Sequence, residues 1–165
     1  MEALEIANLS KAPMTASMLS GLNFAEWEDT LPELTQSAWD DFFRECTMNG
    51  DSSLPTTMVG TLHGNVVGSV SLEVIDDLAE FAHYTPWITS LVVTPDYRNK
   101  GFASQLMQHA HRIAFEMGYS RLFLWTYDQE ALYQRLGWSV LHRITFKGRA
   151  AVVMARDLEE GILKH

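Results

Sequence analysis

Cysteine is almost missing from these 165 residues: Cys46 is the only one, so neither an internal disulfide nor a Cys-x-x-Cys zinc or redox site can form. Long apolar runs are missing too. No stretch of about 18 apolar residues occurs, so no membrane-spanning helix is expected. The start Met1-Glu2-Ala3-Leu4-Glu5 lacks the basic opening of a secretory signal. A cytoplasmic protein is expected. Basic residues are scarce, with 12 Lys and Arg against 21 Asp and Glu, a formal charge of −9 and a pI near 5.0. Nucleic acid and anionic membrane both demand a basic face, so neither is expected as a partner. The acidic balance leans toward a cationic one.

What is present suits a core. The hydrophobic share is 47%, enough for one compact domain spanning 1–165. Cys46 falls among Phe42, Phe43 and Met48 in a helical pattern, where a free cysteine packs as a small hydrophobe and is no nucleophile. Residues 1–10 carry weak alternation for a first strand. Residues 13–46 carry helical spacing in two segments, one with Leu19, Leu22 and Trp27, the other with Leu34, Trp39, Phe42 and Phe43; Pro32 separates them. A loop at 49–53 leads to a strand at 56–62, a turn at His63-Gly64-Asn65 and a return strand at 66–75. The acids Asp76, Asp77 and Glu80 follow; they either attract an amine or simply face water.

Residues 87–117 form the organising unit. Trp87 to Val93 is rich in β-branched and aromatic side chains, and Thr94-Pro95-Asp96 ends it with turn chemistry. From Phe102 the apolar residues recur at Leu106, Ala110, Ile113, Ala114 and Met117, one stripe of a helix that Gly118 closes. Between them lie Arg98, Asn99, Lys100, Gly101, Phe102, Ala103 and Ser104. Two cations, small residues and a helix start outline an anion site, because the first helical N–H groups are unpaired and sit at the positive end of the macrodipole. The plainer reading of the same residues is an ordinary strand-to-helix turn. A nearly continuous apolar run at 121–126 reads as a buried strand parallel to 87–93. Asp128 is placed to N-cap a short helix at 129–136 that Gly137 ends. Strands through 142–146 and 150–154, turning at Lys147-Gly148, close the chain.

The string from Val92 to Ala103, with Arg98, Gly101 and Ala103 spaced as Arg-x-x-Gly-x-Ala and a helix following, resembles the acyl-CoA pyrophosphate loop of GNAT-type N-acetyltransferases. Leu132-Tyr133-Gln134-Arg135-Leu136-Gly137-Trp138 resembles a second motif of that family, in the right order. The likeness spans about 55–157.

It implies an α/β (α+β) GNAT fold: a central mixed, mostly antiparallel sheet with a splayed parallel strand pair, flanked by helices. It implies acetyl-CoA as co-substrate, its pyrophosphate on the Arg98 to Ser104 loop and its pantetheine arm along the backbone of Leu91, Val92 and Val93. It implies Tyr133 as general acid and, as acceptor, a primary amine of a small molecule or of a peptide or protein N-terminus, with Trp27, Trp39 and Phe43 as candidates for one wall of the acceptor site. For the general base, Glu73 is the first candidate; Asp76, His83 and Asp128 are the others. The family's Asn before the tyrosine is absent, and Thr126 or Asp128 would replace its CoA contact. No metal is required, and a homodimer is compatible with such a fold. The alternative is a catalytically silent acyl-CoA-binding sensor.

Overall fold

The computed structural model describes residues 2–159; Met1, at the edge of the expected first strand, and residues 160–165 lie outside the described residues. In chain order it runs β1 (Glu5–Asn8), α1 (Ala16–Trp27), α2 (Gln36–Asn49), β2 (Thr56–Leu62), β3 (Asn65–Glu73), β4 (Trp87–Val93), α3 (Phe102–Glu116), β5 (Arg121–Thr126), α4 (Glu130–Arg135), β6 (Ser139–Phe146) and β7 (Arg149–Asp157). The sheet order among the described residues is β1-β2-β3-β4-β5-β7-β6. Only β4 and β5 pair in parallel, and β7 inserts between β5 and β6.

Period-two alternation sorts the strand residues onto two faces. On one, Met58, Val70, Leu72, Ile88, Leu122, Leu124 and Met154 pack with Leu106, Met107, Ala110 and Ile113 of α3 in the main core. Burying each such side chain contributes about 1.5–3 kcal/mol, which is why the apolar stripe of α3 docks there. On the other face, Val59 meets Leu19, Trp39, Phe43 and Cys46 of α1 and α2. Further along that face, Trp87, Phe123, Val153 and Ala155 lie under Leu78, Phe81 and Tyr84 of the β3–β4 loop. Cys46 is fully buried, and burial pushes its thiol up to about 12, as expected for a packing residue.

Several expected boundaries move. β3 ends at Glu73, and Val74 and Ile75 project into solvent instead of continuing the strand. α2 runs on through Asn49, into the stretch expected to be loop. The closing strands are longer than expected on both sides of the turn. Asp128 does not cap α4: Gln129 occupies the cap position without a side-chain bond, its N–H donating to Thr126 Oγ1 at 3.2 Å. The Asp128 carboxylate faces Arg149 instead, at 3.6 Å.

The feature that matters most for a site is in β4. Ser69 pairs with Val92 and Ser71 with Thr89, so β4 carries one residue more than β3 over that interval. Ser90 takes φ of 53°, and the bulge kinks β4 away from β5. Gly68 lies against it: a Cβ there would come within 2.3 Å of the Val92 carbonyl oxygen, so the kinked strand needs a glycine beside it.

Candidate active site

β4 and β5 meet at a single residue pair, Trp87 with Phe123, where the Phe123 N–H donates to the Pro86 carbonyl at 3.1 Å. Beyond that bridge they part. A cleft of ≈ 730 Å³ opens in the gap, lined by residues from both faces of the sheet. Ile88, Leu124 and Tyr133 contribute from the α3 side, and Trp27 and Trp39 from the α1–α2 side, joined on that second face by Trp125 and by Glu73, the cross-strand partner of Trp87. The cleft is thus a passage through the sheet.

At one end of it the strand-to-helix loop is held in a specific shape. The Thr94 N–H donates to the Val67 carbonyl at 2.8 Å, and Arg98 Nε turns back onto the Val93 carbonyl at 3.0 Å. Asn99 and Gly101 both adopt left-handed conformations, φ 61° and 83°; Gly101 does so as the residue before α3, with no Cβ to obstruct approach. Phe102 anchors the first turn by burying its ring with Leu62 and Val67. The N–H groups of residues 99–104 have no carbonyl partner among the described residues. Converging unpaired donors at the positive end of a 15-residue helix are a fit for a diphosphate.

Arg98, Asn99, Gly101, Phe102, Ala103, Ser104, Leu91, Val93 and Asp128 of the expected coenzyme residues line the cleft; Val92 and Lys100 do not. Val92 pairs with buried Ser69 and points into the packed sheet face. Lys100 lies over the Tyr97 ring at 5.7 Å and stays in solvent. Arg98 also forms a 3.0 Å ion pair with Glu26, tying the loop to α1.

Tyr133 rises from α4 into the same cleft, its ring edge-on to Trp138 at 6.2 Å. Its hydroxyl makes no hydrogen bond among the described residues. Burial, with the nearby Asp128 charge, pushes its pKa up to about 12, so it keeps its proton throughout the physiological range.

The other end is acidic and aromatic. Glu73 closes β3 in cross-strand register with Trp87. Burial lifts its pKa to about 7; the adjacent Thr89 hydroxyl opposes the rise, and the charges of Asp77 and Glu45 add to it. Asp76 is lifted well above the carboxylate range by burial and by Asp77 and Glu73. A carboxylate near 7 is half ionised at neutral pH and suited to take a proton from an ammonium group. Asp76 lines the cleft with Glu73, whereas His83 does not: it is exposed beside Tyr84. Trp27 and Trp39 reach the cleft, but Phe43 is fully buried core.

Several lining residues escaped the sequence reading: Glu26, Thr89, Trp125, Tyr127 and Arg149. Trp125 and Tyr127 stand two apart and alternate out of the apolar run of β5, which was the available signal. Nothing local marks Glu26 or Arg149.

A family model described as acetyltransferase (GNAT) family matches residues 18–138. No curated protein matches the chain. Solved structures share its fold at low identity. An aminoglycoside 6'-N-acetyltransferase complexed with coenzyme A superposes with TM-score 0.73 at 15% identity, covering 94% of this chain and 97% of that one. A putative acetyltransferase from Salmonella typhimurium with its cofactor acetyl-CoA gives 0.70 at 19%, covering 96% of each. A spermidine N-acetyltransferase chimera from Vibrio cholerae and hSSAT gives 0.70 at 16%, covering 99% and 100%. The splayed parallel pair, the open loop before α3 and the matched span of the family model agree, and the chain belongs to the acetyltransferase (GNAT) family of acyltransferases.

Proposed function

We propose that the protein transfers an acetyl group from acetyl-CoA to a primary amine by direct attack within a ternary complex. The observation that carries this is the passage itself: a protonated phenol opens into it from one face of the sheet and a carboxylate poised near neutrality from the other.

Acetyl-CoA supplies the acyl group as a thioester, so the amine nitrogen forms a C–N bond to the carbonyl carbon while the C–S bond breaks. The open N–H groups of the loop from Arg98 to Ser104 are the natural seat for its diphosphate, with the backbone of Leu91 and Val93 alongside the gap. Asp128, at the mouth, is held by Arg149 and contributes to that end rather than to proton transfer.

An alkylammonium with pKa near about 10 is overwhelmingly protonated at pH 7 and cannot attack. Glu73 takes the surplus proton, and the nitrogen lone pair becomes available. As charge develops on sulfur, the Tyr133 hydroxyl donates to it. A phenol near 12 is a weak acid toward an exposed thiolate, but the burial that raises Tyr133 also raises the basicity of a thiolate beside it. Nitrogen gives up two protons in all: the first goes to Glu73 before attack, and the second, shed as the amide forms, restores the Tyr133 phenol after its own proton has passed to sulfur.

The reading is tested by following free-thiol release from acetyl-CoA with a panel of primary amines. Amine-dependent release is expected. A silent coenzyme-binding protein would instead be stabilised by acetyl-CoA and release no thiol with any amine.

A further inference from the structure

The cleft carries more carboxyl groups than one acetyl transfer uses. Five carboxylates line it: Glu26, Glu73, Asp76, Asp77 and Asp128. Two are already matched, Glu26 with Arg98 at 3.0 Å and Asp128 with Arg149 at 3.6 Å. Glu73, Asp76 and Asp77 have no ion-pair partner among the described residues. The β3–β4 loop that carries Asp76 and Asp77 packs on the sheet through Leu78, Phe81 and Tyr84. The Tyr84 ring stacks on Phe123 at 4.5 Å and its hydroxyl shares a 2.8 Å hydrogen bond with His142 Nε2.

A second observation points into the same space. Thr89 lines the cleft on the same sheet face as Glu73, two residues along β4 from Trp87, the cross-strand partner of Glu73. It is 7% exposed, and its Oγ1 is buried without a hydrogen-bond partner of good geometry. Its lone pairs stay open toward the cleft beside Glu73, where an arriving ammonium donor would find an acceptor. The surrounding walls are aromatic and aliphatic: Trp27, Leu31, Leu34, Trp39 and Trp125. Rings of that kind attract cations, and the leucines offer a surface for methylenes, not for hydroxyls.

We infer that the acceptor is an alkyl diamine or polyamine. One nitrogen is acetylated beside Glu73 while a second, still protonated, is held by Asp76 and Asp77, with the methylene spacer on the apolar wall. This rests on the acetyl-transfer reading and narrows it. A monoamine would leave the two aspartates without a cation.

The test compares kcat/KM for butane-1,4-diamine and for butylamine, by thiol release from acetyl-CoA with the full chain. The diamine is expected to be favoured by about 10- to 100-fold, the range of one charge-assisted hydrogen bond. In Asp77→Asn that preference should fall by about tenfold, and in Asp76→Asn likewise. Glu80→Gln, an exposed acid of the same loop that does not line the cleft, should keep it. Because Asp77 is exposed, its amide variant does not put the fold at risk. Equal rates for the two amines, or a preference untouched in both aspartate variants, overturn the inference while leaving acetyl transfer intact. Thiol release with neither amine nor any other in the panel overturns the transfer reading instead.

Discussion

At the end of the cleft assigned to the coenzyme the chemistry is carried by backbone: unpaired N–H groups of residues 99–104, two left-handed residues and a helix start. At the acceptor end it is carried by side chains brought from α1, α2, β3, β4, β5 and the β3–β4 loop. The first kind of site is local and tolerates change in most side chains, as long as Gly101 keeps its conformation. The second depends on which side chains converge, and a single loop substitution re-specifies it. A common coenzyme and a variable acceptor are what such a division of labour allows.

The comparison breaks hardest at Tyr133, where the two ends meet. Tyr133→Phe keeps the ring on Trp138 and removes only the proton, so kcat should fall by about 100-fold or more while acetyl-CoA still stabilises the protein; steady-state kinetics beside a thermal-shift titration would check both. An unchanged kcat would remove the phenol from the mechanism.

Gly101→Glu attacks the coenzyme end alone. A side chain at φ 83° is strained, and a carboxylate before the helix repels a diphosphate. The rise in Tm produced by saturating acetyl-CoA should vanish. A rise equal to that of the wild type would take the pyrophosphate away from this loop.

Gly68→Ala tests what keeps the passage open. With a Cβ 2.3 Å from the Val92 carbonyl, either the bulge relaxes or the strands separate, and a loss of about 2–3 kcal/mol is expected, roughly 4–10 °C in Tm. Acetyl-CoA should recover less of that loss than it adds to the wild type if the gap itself is deformed.

Glu73→Gln acts at the acceptor end, and its sign can be worked out. The folded carboxyl holds its proton to about 7, whereas the ordinary value is 4.5. Between those values the native state binds more protons than the unfolded chain, so wild-type stability falls as pH rises through that window. The variant should therefore melt higher than wild type at pH 8, by up to about 10 °C, with the advantage gone near pH 4.5. Wild-type kcat/KM should rise with pH through about 7, and the variant should lose that limb and about tenfold in rate at its plateau. A pH profile shared by both proteins would assign the proton to another group.

The same division explains what could be read before the fold was known. Trp87 to Val93, the anion loop, α3 and Tyr133 are each marked by residues adjacent in sequence, so turn chemistry and periodicity located them. The parallel pairing of β4 and β5 followed from the strand-helix-strand order, and its splay from resemblance. The bulge at Ser90 left no mark, because a serine in a strand carries no sign of its φ; the neighbouring Gly68 is the only trace. Asp128 was misassigned as a cap because its competitor, Arg149, lies on a distant strand. Phe43 fell on the wrong side of the cleft for a related reason: helical spacing says which residues share a face, not which end of that face stays uncovered; His83, in the β3–β4 loop, had no periodicity to say where it points.

A seven-stranded sheet whose fourth and fifth strands touch at Trp87 and Phe123 alone is mechanically two sheets sharing one rung. Past that rung, two strands in the middle of the molecule present edges of the kind proteins usually hide. An extended ligand arm laid between them would supply the missing rungs and act as a temporary eighth strand. Amide exchange at Leu91, Val93 and Trp125 is then the natural gauge of occupancy: fast in the free protein, slowed when the arm is in place, and released with every turnover.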